Sequence, residues 1–211
     1  MKEFILPPLY AIVDVEQYAS ALEQIAKLLE AKVQIIQIRA KALQQIEVIR
    51  IANSAVALRD EKYPEQKSWI IINDSPEICK FSCADGVHLG QSDASPLVAR
   101  KLLGDTAIIG LSTHNLEQAL AAPVDVLDYI GVGPVFNSPT KSGHAPTVGI
   151  EKLAEISKLS ALPVVGIGGI TIENAGKVFG AGASSVAVIS ALKGGDSLEE
   201  VVRQFERAKA S

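Results

Sequence analysis

The segment VQIIQIRAK, residues 33–41, sets an amide and two cations, Gln37, Arg39 and Lys41, at every second position. Side chains alternate faces along a strand, so these three share one face while Ile36 and Ile38 take the other. Cations on a partly buried rim are costly when unpaired, and a diphosphate is the partner that would satisfy such a row. Two carboxylates, Asp74 and Asp93, follow the next two apolar runs, WIIIND and GVHLG. Beside a phosphate they can share Mg²⁺, which prefers one or two carboxylates completed by phosphate oxygens and water. Singly, Asp74 reads as a turn residue before Pro76 and Asp93 as a cap on a helix starting near Ser95. Together with Arg39, Lys41 and Lys141, they read as metal ligands beside a diphosphate. The competing arrangement is a ring of salt bridges in which Arg39 and Lys41 pair with Asp74 and Asp93.

A second anion site is written later in the chain. GIGGIT, residues 166–171, puts glycines where backbone must approach a ligand, just before a helix starting near Thr171. ISALKGG, residues 189–195, reads as a strand end running into a short extra helix. Amides at such helix starts accept phosphate. Of the histidines, His114 follows Ser112 and is a candidate acid or base. His88 reads as structural, and His144 has no evident partner. Trp69 and the tyrosines read as packing, and Cys79 and Cys83, four apart, as reduced packed side chains.

Placing these residues together requires a scaffold that brings many strand ends to one rim. Short β-branched runs alternate with helical stretches throughout: LYAIVD then 16–31, VQIIQIR then 43–60, WIIIND then 75–82, GVHLG then 95–103. AIIGLST then 115–122, YIGVGPV then 150–159, PVVGIGG then 171–180 and SVAVIS then 197–209 complete eight units. Parallel strands joined by helical crossovers produce that cadence, and eight units in 211 residues fit one closed (β/α)8 barrel spanning 1–211. A doubly wound open sheet is the structural rival, but its phosphate fingerprint should follow the first strand, and AIVDVEQ has no glycine. In a barrel the functional groups gather at the C-terminal strand ends, where Gln37, Asn73, Asp74, Asp93, Ser112 and the glycine exits fall. Segment 59–68 reads as a solvated connection at the opposite end, and 137–149 as a mobile loop over the site.

A net charge of −4 and a pI near 5.5 leave no basic stripe for a nucleic acid. Hydrophobic residues at 48% and a mean hydropathy of +0.24 supply one large core, and no apolar run reaches the length of a membrane span or a signal peptide. The expected setting is cytoplasmic, the expected partners are small molecules, neither nucleic acid nor membrane, and a homo-oligomer is left open.

In order and spacing, QIRAK, IND, GVHLGQSD, GLSTH, GVGPVF with PTK, VGIGGIT and VISAL resemble the thiamine-phosphate synthase (thiamine-phosphate pyrophosphorylase) family over nearly the whole chain. The resemblance implies a (β/α)8 barrel that joins hydroxymethylpyrimidine diphosphate to hydroxyethylthiazole phosphate, releasing pyrophosphate. It implies that Gln37, Arg39 and Lys41 hold the pyrimidine diphosphate, Asn73 and Lys141 assist on the pyrophosphate, and Asp74 and Asp93 bind Mg²⁺. Ser112 would contact the pyrimidine, while Ser138, Pro139, Thr140, Gly169, Ile189 and Ser190 would cradle the thiazole phosphate. The implied mechanism is dissociative, with Arg39, Lys41, Ser112 and Lys141 as its catalytic groups and no protein nucleophile. Ala40 stands where the family usually has an acid, and Ser138 where threonine is usual. Two alternatives share the barrel: a thiazole tautomerase-like isomerase using His114, and a non-catalytic phosphate-binding regulatory barrel.

Overall fold

Residues 4–137, 147–193 and 197–210 are described by a computed structural model of the chain. Eight parallel strands close into a barrel: β1 (Leu9–Asp14), β2 (Ile35–Arg39), β3 (Trp69–Asn73), β4 (Gly86–Leu89), β5 (Ile108–Thr113), β6 (Tyr129–Val132), β7 (Val164–Ile167) and β8 (Ser185–Val188). Each strand bonds to the next, and β8 returns to β1 through Leu9 opposite Val186. Closure excludes the open doubly wound sheet. The crossovers are α1 (Ala21–Glu30), α2 (Gln45–Lys62), α3 (Pro76–Ser82), α4 (Pro96–Leu103), α5 (Leu116–Leu120), α6 (Gly149–Leu159), α7 (Ile172–Gly180) and α8 (Leu198–Ala210).

Local chemistry sets the helix starts. Ser75 and Ser95 cap α3 and α4 by accepting the amides of Ile78 and Val98, each with proline at the first helical position, where a missing N–H costs nothing. The helix expected from residue 16 begins later. Val15–Gln17 forms a 3-10 turn, and Ser20 caps α1 by accepting the Glu23 amide. At the other end α2 runs to Lys62, so residues 59–68 are only partly a loop.

Two apolar layers follow from the period-two alternation. Ala11, Val13, Ile36, Ile38, Ile70, Ile72, Val87 and Leu89 face outward beneath the helices. Tyr10, Ile12, Ile35, Ile71, Ile108, Tyr129, Val165 and Ala187 fill the lumen. Cutting Ile71, which is fully buried, to alanine would cost about 2–5 kcal/mol. Strand register then fixes neighbours at the rim: Asp14 lies opposite Arg39, Asn73 opposite His88, and Ser112 opposite Gly131.

The N-terminal end of the barrel is tied by two ion pairs of one design. Asp85, just before β4, accepts the Ile70 amide at 2.7 Å and pairs with Arg59 of α2, which also donates to the Ser68 carbonyl at 3.1 Å. Asp128, just before β6, accepts the Ile109 amide at 2.8 Å and pairs with Arg100 of α4 at 2.9 Å. Arg100 also donates to the carbonyls of Val126, Gly104 and Ala107. The segment expected as a solvated connection therefore contains a structural anchor: Arg59 is 12% exposed, and Ser68 is buried with its hydroxyl on the Val33 carbonyl. Among the described residues, no helix is long and apolar enough to cross a membrane.

Candidate active site

A cavity of about 500 Å³ opens at the C-terminal ends of the strands. Gln37, Arg39, Lys41, Asn73, Asp74, Asp93, Ser112, Gly169, Ile189 and Ser190 all line it. Ser138, Pro139, Thr140, Lys141 and His144, with most of the 137–149 segment, lie outside the described residues.

Strand β2 ends at Arg39, so Lys41 reaches the rim from the loop beyond it. That loop is held by Glu16, whose Oε1 accepts the amides of Lys41 at 2.7 Å and Ala42 at 2.8 Å. Burial opposes ionisation of Glu16, yet hydrogen bonds from the Asp14 carboxyl and from the amides of Ala42, Lys41 and Glu16 itself hold its pKa at about 2. Arg39 donates through Nη1 to Asp14 at 2.5 Å, as their register requires. Lys41 pairs with Asp74. The salt-bridge ring weighed above is thus half present, because Lys41 takes the predicted carboxylate while Arg39 takes Asp14. Ala40 packs against the outer apolar layer, away from the two cations.

Asp74 adopts a left-handed backbone, φ 69°, and its amide donates to the His88 carbonyl at 2.8 Å. Asp93 accepts the Gly90 amide at 2.7 Å. Burial raises the Asp74 pKa, Lys41 opposes the rise, and the facing Asp93 carboxylate adds to it. Two hard-oxygen donors that disfavour each other's charge are a fitting seat for a divalent cation. No cluster of three or more His, Cys, Asp or Glu surrounds them among the described residues, so substrate oxygens and water would complete the shell. Beside them Asn73 Nδ2 is buried with no hydrogen-bond partner. A buried unpaired donor costs about 1–3 kcal/mol, and a phosphate oxygen would relieve it.

The floor carries a polar line that sequence reasoning assigned to packing. Gln37 Nε2 donates to Tyr10 Oη at 2.9 Å, and Tyr10 Oη lies 2.8 Å from Tyr129 Oη. His88 spans Tyr129 Oη, 3.0 Å from Nδ1, and Ser112 Oγ, 2.8 Å from Nε2. His88 is therefore part of the cavity. Burial pushes its pKa down to about 4, against a smaller upward pull from Asp93. Gly110 makes this floor possible, since a Cβ there would fall within the Tyr129 ring that its β6 neighbour projects. The missed signal was the same alternation that found Gln37: in LYAIVD it places Tyr10 and Asp14 on the inward face.

Across the cavity the chain offers backbone instead of charge. Gly168 and Gly169 take φ of 99° and 63°, and a Cβ on Gly169 would sit 2.5 Å from the Asn137 carbonyl oxygen. Asn174, inside the first turn of α7, donates to the Gly169 carbonyl at 2.9 Å and accepts the Thr171 amide at 2.8 Å, fixing the exit. Ser190–Lys193 form the short helix expected after β8, as a 3-10 turn. His114 is exposed on this rim and donates from Nδ1 to the Gly133 carbonyl at 2.6 Å. Of the cysteines only Cys79 is packed, its Sγ 3.2 Å from the Gly86 carbonyl and its pKa raised to about 12 by burial. Cys83 is exposed at the end of α3.

Residues 9–192 match the family model described as thiamine monophosphate synthase. The chain is 38% identical over 202 residues to the thiamine-phosphate synthase of Syntrophomonas wolfei, covering 94% of each protein. It is 36% identical over 196 residues to that of Caldicellulosiruptor bescii, covering 90% of this chain and 88% of that protein. Among solved structures, thiamine phosphate pyrophosphorylase from Pyrococcus furiosus superposes with a TM-score of 0.83 at 30% identity, over 96% of this chain and 95% of that one.

Proposed function

We infer how the rim works from one premise: the chain belongs to the thiamine monophosphate synthase family. It is a transferase, a thiamine-phosphate synthase acting on small-molecule substrates. Our proposal concerns which residues carry the reaction, and one observation carries it. The unpaired Asn73 amide sits between two exchangeable ion pairs, Arg39 with Asp14 and Lys41 with Asp74, on one side of a cavity whose other side is glycine backbone.

On this reading the diphosphate of hydroxymethylpyrimidine lies on the β2–β4 side and the thiazole phosphate on the β7–β8 side. Gln37 and Ser112 hold the pyrimidine ring above the lumen. Arg39 and Lys41 turn from their carboxylates to the diphosphate, and Asn73 gains its missing acceptor there. Asp74 and Asp93 hold Mg²⁺, which neutralises charge on the leaving diphosphate. Arg39 and Lys41, with Lys141 from the segment after β6, stabilise the same charge as the carbon–oxygen bond breaks, and preorganised charge of this kind supplies the largest share of catalysis in such sites. The thiazole nitrogen then captures the pyrimidine-methyl cation. The segment around Gly169, Ile189 and Ser190, joined by Ser138, Pro139 and Thr140, fixes the thiazole phosphate and hence the nitrogen's aim. The same proposal takes residues 1–211 as one domain and the setting as cytoplasmic, without a nucleic-acid or membrane partner.

The test is pyrophosphate release by the purified protein given both substrates, with Mg²⁺ and then with EDTA, alongside detection of thiamine phosphate. Metal-dependent release matching product is the expected result. Release that is indifferent to EDTA would remove the metal from the proposal.

A further inference from the structure

Five side chains from five strands form one unbroken hydrogen-bond line across the lumen: Gln37 of β2, Tyr10 of β1, Tyr129 of β6, His88 of β4 and Ser112 of β5. Each phenol has one proton to give. Because the Gln37 amide nitrogen donates to Tyr10, the Tyr10 proton is free for Tyr129. The Tyr129 proton then goes to His88 Nδ1, 3.0 Å away, or a fully buried hydroxyl would be left with no acceptor. A neutral imidazole that accepts at Nδ1 carries its proton on Nε2 and donates it to Ser112 Oγ.

We propose that this line is directional and that His88 is a positioning residue: it occupies Ser112 Oγ as acceptor, so that Ser112 offers its own proton to a ring nitrogen of the bound pyrimidine. The proposal rests on the reading of Ser112 as a pyrimidine contact. Run in the opposite sense, the line would have Ser112 donate to His88 and present only lone pairs, which suit an exocyclic amine. The direction therefore selects which edge of an aminopyrimidine is read at Ser112. It is set at the far end by which atom of the Gln37 amide faces Tyr10, three side chains and four hydrogen bonds from Ser112.

Histidine ¹⁵N spectra of the labelled protein read the line directly, with His88 identified among the three histidines by its loss in His88→Phe. The expected spectrum has a bare Nδ1 and a protonated Nε2. Gln37→Glu, which puts a pure acceptor against Tyr10, should invert that tautomer from across the lumen. A protonated Nδ1 in the native protein, or a tautomer unmoved by Gln37→Glu, would overturn the direction.

Kinetics test the positioning role. Ser112→Ala and His88→Phe should each raise KM for the pyrimidine diphosphate about tenfold. KM for the thiazole phosphate should stay within about twofold, and the double variant should lose nothing more. Additive losses would show that His88 acts independently of Ser112 and overturn its role. If His88→Phe does not fold, Tyr129→Phe keeps the ring, breaks the line at the same place and should give the same signature. A silent Ser112→Ala would remove Ser112 from the pyrimidine and with it the role of His88, while the spectra would still report the direction and pyrophosphate release the activity.

Discussion

Both ends of this barrel carry arginine–aspartate pairs, and they are finished differently. At the N-terminal end Asp85 and Asp128 each accept a strand amide, while Arg59 and Arg100 donate onward to main-chain carbonyls. At the C-terminal end Arg39 meets Asp14 and Lys41 meets Asp74 through side chains that also border the cavity, next to an amide with no partner. The lower pairs are woven into the backbone and hold strands in register. The upper pairs can be broken by an incoming anion without loosening a strand. The difference separates ion pairs that stabilise from ion pairs that keep a site charged and ready.

The strongest way to break this comparison is to cut one residue at each end. Asp93→Ala should lower Mg²⁺-dependent turnover by about 100-fold or more, with an unchanged thermal midpoint. Loss of folding without loss of per-molecule activity would reverse its assignment. Arg100→Ala should do the opposite, costing about 3 kcal/mol in urea unfolding because it strands a partly buried Asp128 and three carbonyls. Its kcat/KM should hold once the folded fraction is allowed for.

Acidification probes the floor between the two ends. The folded His88 resists protonation until about pH 4, whereas in the unfolded chain it takes up a proton near 6.5. Its contribution to stability is therefore constant above about pH 6.5 and is lost as the pH falls from there toward 4. Unfolding curves across that window should show the loss, and His88→Phe should flatten it. The smallest effect sharpens the contrast most. Asn73→Ala should leave stability unchanged or raise it by up to about 1 kcal/mol, since it deletes an unsatisfied donor, while slowing pyrophosphate release about tenfold. A comparable deletion among the lower pairs can only destabilise.

The strand cadence and the polar strand ends were legible in the chain because both follow from side-chain periodicity alone. Gln37, Asp74, Asp93 and Ser112 fall at the cavity as that logic requires. The partners of those residues were not legible, because they depend on register between strands far apart in sequence. Arg39 finds Asp14 only when β1 and β2 are aligned, and Tyr10 reaches Tyr129 across 119 residues. The tyrosines look like packing in isolation because most of each ring is apolar; their hydroxyls acquire meaning only when the lumen closes. The lower anchors were hidden likewise, since Arg59 lies in a charged segment that would pass for a solvated loop until Asp85 is set beneath it.

The seam between β1 and β8 also has a consequence in time. β1 gains β2 as a neighbour early in synthesis, but its other edge bonds through Pro8 and Leu9 to a strand made some 177 residues later. At roughly 5–20 residues per second, a ribosome leaves that apolar edge open for about 10–35 seconds. During that interval the nascent chain is an incomplete sheet, and its exposure to pairing with a neighbouring chain ends only when β8 is released.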